Sequence, residues 1–129
     1  MRDYQRQKCY SWEEATFPGE RTETLTLDGC KELAKEMFGR KVKVKDGRGT
    51  RSAFAYLEDR YPTIGLPKWA RNPYTVAHEV AHLKLKGQGY ADHGGQFMKV
   101  MLELIAEHTN RDFDEMRTSA IEFGLRVAD

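Results

Sequence analysis

Cysteine is scarce in this chain, long apolar runs are missing, and charge of neither sign dominates. Cys9 and Cys30 are the only thiols and are not spaced as C-x-x-C, so neither a disulfide scaffold nor a four-thiolate zinc site can be built from them. Reduced thiols in a cytoplasmic compartment are the simpler expectation. No segment approaches the roughly 20 apolar residues of a membrane-spanning helix, and the stretch from Met1 to Lys8 lacks the apolar core of a secretory signal. A cytoplasmic protein with no membrane partner is therefore expected. With 21 basic residues against 20 acidic ones the formal charge is +1, which excludes a polycationic nucleic-acid arm and a polyanionic tail. Repeats and low-complexity tracts are also missing. What remains is a chain of 129 residues, 40% hydrophobic and 11% aromatic, enough for a real core in a single domain spanning 1–129, expected as a monomer.

The order of elements suggests an α+β fold. Tyr4, Cys9, Tyr10, Trp12 and Phe17 fit no single period, and the segment before Pro18-Gly19 is read as leaning helical. Leu33, Ala34, Met37 and Phe38 recur at helical spacing behind a candidate cap, Asp28, and stop at Gly39. Lys41 to Lys45 alternates strictly, Asp46-Gly47 is a turn pair, and Ser52 to Leu57 resumes as a strand, which predicts a hairpin. Tyr61 to Pro67 is apolar but bracketed by prolines, which predicts an edge strand. Asn72-Pro73 opens a helix that ends near Gly87, with Lys84 and Lys86 suited to its negative end. A largely buried helix is expected from about His93 to His108. A last helix, opened by the box Asp112 to Glu115, should bury Phe113, Met116, Ala120 and Phe123.

Three of the four histidines fall within sixteen residues, as His78-Glu79-Val80-Ala81-His82 and then His93. On a helix, positions i and i+4 share a face about 6 Å apart, so the His78 and His82 rings can converge on one ion. Zinc suits this donor set, with three protein ligands and a water as its usual catalytic arrangement. Such an ion lowers the pKa of its water to about 7. Glu79, rotated about 100° from His78, is placed to accept that water's proton and to pass it to a leaving amine. The bland alternative is a surface helix that carries the pattern by accident. Against it, Val76, Ala77, Val80, Ala81 and Leu83 make the helix apolar enough to be buried, and buried histidines and a glutamate need a partner.

The third ligand separates the subclasses. The long metzincin pattern requires glycine at 85 and histidine at 88, where this chain has Leu85 and Gln88. Glu103 or Glu107 on the next helix could serve, but His93 is the better candidate, because Gly87-Gln88-Gly89-Tyr90 can turn the chain back. His78-Glu79-Val80-Ala81-His82 followed by His93-Gly94-Gly95-Gln96-Phe97 resembles the SprT-like zincin pattern, in which H-E-x-x-H precedes an H-G-x-x-F that opens the next helix. The whole chain is similar to small metallohydrolases of bacteria and phages related to that family. The likeness is specific over residues 73 to 105 and architectural elsewhere. It implies a minimal zincin fold, one zinc ion on His78, His82 and His93, Glu79 as general base and a polypeptide substrate. The cysteine-rich module that often follows the SprT-like core is not found in these 129 residues.

Other residues are weaker candidates. Tyr74, one turn before His78, and Tyr90 could steady an oxyanion, although ordinary packing is the default for both. Asp92, Glu103 or Asp112 could hold the outer nitrogen of a ligand histidine. His108 reads as a core or rim histidine. Cys30 resembles the cysteine ligand of peptide deformylases only loosely, and a buried thiol is the simpler reading. Lys41, Lys43 and Lys45, with Arg40, Arg48 and Arg51, form a basic hairpin that could touch nucleic acid. The expected function is a zinc metallopeptidase with substrate along the Thr63-to-Pro67 edge. Two alternatives stand beside it: a non-catalytic, zinc-stabilised protein or DNA-binding module, and a regulatory protease acting on one DNA-associated partner.

Overall fold

A computed structural model describes residues 3–47 and 52–129. The order of elements is α1 (Arg6–Thr16), α2 (Leu27–Phe38), β1 (Lys43–Asp46), β2 (Phe54–Glu58), β3 (Tyr61–Leu66), a single 3-10 turn (Lys68–Ala70), α3 (Pro73–Leu85), α4 (Gly95–His108) and α5 (Phe113–Phe123). Helices and one small sheet make the α+β class read from the sequence. No helix among the described residues is long and apolar enough to cross a membrane.

The helix that matters most is also the best specified. Asn72 caps α3, its side-chain oxygen accepting from the Thr75 amide at 2.9 Å while its amide donates to the Trp69 carbonyl at 3.0 Å, and Pro73 opens the first turn. Nine of the thirteen residues of α3 are buried, because the helix is covered by α2, by α4 and by strands β2 and β3. On α4, Phe97, Met98, Met101, Leu102, Leu104 and Ile105 are buried, which accounts for its apolar circumference.

Several boundaries differ from the sequence reading. The first eighteen residues do contain a helix, α1, with Cys9, Trp12 and Glu13 on its buried face. Thr26, not Asp28, caps α2, accepting from the Gly29 amide at 3.0 Å, and Asp28 lies in the first turn, where its charge faces the positive end of the helix dipole. His93 precedes α4, whose cap is Gly94. In α5, Met116 and Ala120 are buried and Phe113 is half-buried, but Phe123 is 42% exposed. The core contact expected of Phe123 is made by Leu125. The amides of Gly124 and Leu125 donate to the Ile121 and Ala120 carbonyls at 3.0 Å, the doubled bond of a Schellman stop, which turns Leu125 inward.

The sheet is the main correction. The strands run in the order β1-β3-β2, so β1 and β2 do not form the predicted hairpin. β1 lies parallel to β3, with Val44 opposite Ile64, and β2 runs antiparallel to β3, with Ala55 also opposite Ile64. The real two-residue turn is Asp59-Arg60, both at positive φ (50° and 67°), the conformation that a tight hairpin needs. Gly47 is no turn residue: its amide extends the β1–β3 ladder to the Leu66 carbonyl at 3.1 Å. The prolines misled because Pro62 sits near the start of β3 and Pro67 beyond its end, leaving the donors between them free to pair. Thr63 to Leu66 is therefore a buried central strand, and the edge beside α3 is β2.

Register is pinned by one close approach. Phe54 lies across Gly65, and a Cβ at Gly65 would collide with the Phe54 ring. Gly65→Ala should therefore destabilise the protein by about 1–3 kcal/mol in urea unfolding, and Phe54→Leu in the same chain should recover part of that loss. Additive costs would mean that the two residues do not face each other.

Candidate metal centre

The three histidines reach one point from two elements. His78 and His82 stand one turn apart on α3, and His93 lies in the turn between α3 and α4. Their ring centroids are 5.0 Å (His78–His82), 5.3 Å (His78–His93) and 4.7 Å (His82–His93) apart. One ring nitrogen from each lies within 4.8 Å of the others, so the group can hold a metal ion. Phe97, the last residue of the H-G-x-x-F segment, forms the floor, with its ring 4.4 Å from His82 and 4.9 and 5.1 Å from His78 and His93. Tyr10 of α1 closes one side, 5.4 Å from His78 and 5.3 Å from His93.

Whether these residues fit an ion is answered by their unused atoms. His78 Nε2 and His93 Nε2 are buried and have no hydrogen-bond partner among the described residues. Buried polar nitrogens nearly always have one, and leaving a single group unsatisfied costs about 1–3 kcal/mol. Two such atoms side by side make a ready pair of donors to a divalent cation. The opposite nitrogens are already held: His78 Nδ1 is 3.1 Å from Glu13 Oε1, and His93 Nδ1 is 2.7 Å from Asp3 Oδ2. A carboxylate on Nδ1 fixes the ring and leaves Nε2 as the lone-pair nitrogen, the tautomer that a metal requires.

Electrostatics favour the neutral ring at His82 and His93 and the protonated ring at His78. Burial, with His78 and His93 adding to it, pushes the His82 pKa down to about 2, so this ring is uncharged at ordinary pH, with one nitrogen bare. Burial also lowers His93, against the opposing pull of Asp3. For His78 burial acts downward, but Glu13 outweighs it and holds the ring above its usual value. Glu13 is the mirror case: burial pushes its carboxyl up, and His78 beside it more than offsets this and leaves it below the ordinary value. Glu79 is buried next to the rings, and that burial raises it to about 7, with His78 opposing and Glu13 adding. A carboxyl poised near neutrality can both take and return a proton.

Glu79 and His82 open onto a cleft of about 480 Å³, with Asp3, Arg6, Tyr10, Tyr90, Asp92 and His93 also in its lining and Ala53 to Ala55 along the β2 side. Of the two tyrosines expected near the site, Tyr90 lines this cleft and is 49% exposed. Tyr74 does not: its hydroxyl donates to Glu20 at 2.6 Å and its ring stacks on Phe17, toward the end of α1. Asp92 lies exposed at the cleft, Glu103 and Glu107 are exposed on α4, and Asp112 caps α5 by accepting from the Glu115 amide at 3.0 Å, so none of them holds a ligand ring. His108 stands apart, with a nitrogen 3.9 Å from each of Glu36 and Glu107. Cys30 is a buried free thiol outside the cluster.

Sequence reasoning missed Asp3, Arg6, Tyr10 and Glu13, all from the segment left without a period. The signal was there in weak form: Cys9, Trp12 and Glu13 share one helical face, and a glutamate on an apolar stripe marks a buried partner. Cys9, Glu13 and His78 also lie close enough to form a second metal-competent group. Burial and then Glu13 push the Cys9 thiol far above its usual pKa, so the sulfur stays protonated and is directed at Glu13 Oε2, 3.5 Å away.

The basic residues are partly spent. Lys43 and Lys45 each reach Glu58 at 2.8 Å, and Arg40 lies over Phe38, 5.0 Å from its centroid. Arg48 and Arg51 lie outside the described residues. No known protein family, curated protein or solved structure matches the chain.

The raised pKa of His78 has a measurable consequence. Below it a proton competes with the ion, so apparent affinity for a divalent cation should climb as pH rises through neutrality. Binding near pH 6.5 should release protons. Calorimetry in two buffers of different ionisation enthalpy reads their number, and release of none would contradict the His78–Glu13 arrangement.

Proposed function

We propose that the protein is a zinc-dependent metallopeptidase. The observation that carries this reading is the pair of buried, unpartnered Nε2 atoms beside a buried glutamate in an open cleft. His78, His82 and His93 are the residues that would hold the ion, and their neutral-imidazole character favours zinc among the common divalent metals. Bound there, zinc supplies Lewis acidity, which polarises a carbonyl and makes hydroxide available near neutral pH.

The chain's own groups account for the rest. Glu79 takes a proton from the attacking water and delivers it to the departing amine, a transfer helped by a pKa raised to about 7. Its burial keeps bulk water from competing for that proton. Arg6 and Lys86 line the same cleft with Tyr10 and Tyr90, and these are the cationic and hydroxyl groups available to a developing oxyanion, in place of Tyr74. An extended polypeptide would be laid along β2, whose Phe54 and Ala55 border the cleft, and not along Thr63 to Pro67.

The regulatory-protease reading shares this chemistry and differs only in the partner cleaved. The DNA-binding reading is less well supported, because Glu58 neutralises part of the basic stripe. Glu79→Gln should keep a full equivalent of zinc while turnover of fluorescently labelled, unfolded casein falls by about 10²–10⁴-fold. His82→Ala should lose zinc and lower the melting temperature together. Undiminished cleavage by the Glu79 variant would sink the mechanism.

A further inference from the structure

The two ligands on α3 and the third ligand are held in different ways. Backbone hydrogen bonds and a capped N-terminus fix where His78 and His82 point. His93 has less support: it lies in the connection after α3, downstream of Gly87 and Gly89, both at positive φ (77° and 81°), in a turn closed by one backbone bond, the Gly94 amide donating to the Ala91 carbonyl at 3.1 Å, before α4 begins. Its ring is oriented by side chains, and the closest polar one is Asp3, 2.7 Å from Nδ1 and some ninety positions away in sequence.

Asp3 is itself anchored. Two residues on, the Gln5 side chain clamps the backbone of Arg126, its Nε2 donating to the carbonyl at 3.1 Å and its Oε1 accepting from the amide at 2.9 Å. The same C-terminal segment returns to the base of the site, where the Ala128 amide donates to the Gly95 carbonyl at 2.9 Å. Gly95 lies two residues beyond His93, and a Cβ there would stand 3.2 Å from the Ala128 nitrogen, a tight fit. The contacts close a ring running from His93 through Gly95, Ala128, Arg126, Gln5 and Asp3 back to His93.

We infer that Asp3 is a positioning residue for His93, and that the clasp between the two ends of the chain sets the affinity of the metal centre. The inference rests on the metal-binding reading proposed above. Its physical basis is that a carboxylate on the outer nitrogen selects the tautomer and fixes the ring plane. It is reciprocal: whatever ion is bound more tightly when Asp3 is docked must in turn hold the Asp3 segment down.

The test uses zinc ion as the probe and the full chain. Chelator competition should show Asp3→Ala binding zinc roughly 10–100-fold more weakly than the unmodified protein. Asp3→Asn, which keeps an acceptor oxygen and the side-chain shape, should fall between the two, and it carries the test if the alanine variant does not fold. Glu14→Gln removes the same charge from an exposed position on α1 and should bind as the parent does. Side-chain nitrogen NMR of the zinc-loaded protein should show a proton on His93 Nδ1, and a mixture of tautomers in Asp3→Ala. Zinc should also slow hydrogen exchange at the Cys9 amide, which donates to the Gln5 carbonyl at 2.8 Å, and should do so less in Asp3→Ala. Affinity within twofold of the parent and an unchanged His93 tautomer would overturn the role of Asp3 while leaving the metal centre standing. Failure of the parent protein to bind zinc would overturn both.

Discussion

The arrangement depends on two imidazole nitrogens that are buried and not hydrogen-bonded. In an interior packed to crystal-like density, an unpaired acceptor of this kind is avoided almost everywhere, and here two of them face the same point. The surroundings make the exception tenable. Glu13 and Asp3 satisfy the opposite nitrogens, Phe97 and Tyr10 fill the space around the rings, and Glu79 adds a carboxyl whose own burial keeps it near the neutral form. A chain selected for stability alone would place apolar side chains at these positions. Local rules broken together by converging ligand-type side chains are what a functional site looks like.

The rest of the fold serves to hold α3 still. Its cap, its proline and its covering by α2, α4 and two strands leave little freedom at His78, Glu79 or His82. Making β3 central has a second effect. It buries Thr63 to Leu66 under the helix and pushes β2 outward, so that an edge strand, not a core strand, borders the cleft. An extended chain can be received only along a strand edge, which among the described residues β2 offers and β3 cannot.

Charge is distributed by similar logic. Lysines that look like a free basic stripe in sequence converge on Glu58, and Arg111 is drawn to Glu20 beside Tyr74. Ion pairs this exposed contribute little to stability, but they remove free charge from the surface. Of the cations, Arg6 and Lys86 reach the cleft, where a substrate would meet them.

Much of this was legible in the residues alone, for a physical reason that also marks the limit. Caps, helical periods and the i, i+4 histidine pair are local: each is settled by contacts within a few positions, so Asn72-Pro73, the span of α3 and the proximity of His78 to His82 follow from the string of letters. Strand order is not local. Asp46-Gly47 has the chemistry of a turn, yet burial favours the parallel pairing of β1 with β3, and no residue of the turn itself reveals that. The partners of the ligand rings are less local still. Asp3 and Glu13 lie ninety and sixty-five positions from the histidines they hold, whereas Asp92, next to His93 in sequence, lies exposed at the cleft. The groups able to do chemistry, and the helix that presents two of them, can be read from the order of residues. Which carboxylates steady them cannot, because a hydrogen bond between distant segments depends on how the whole core closes.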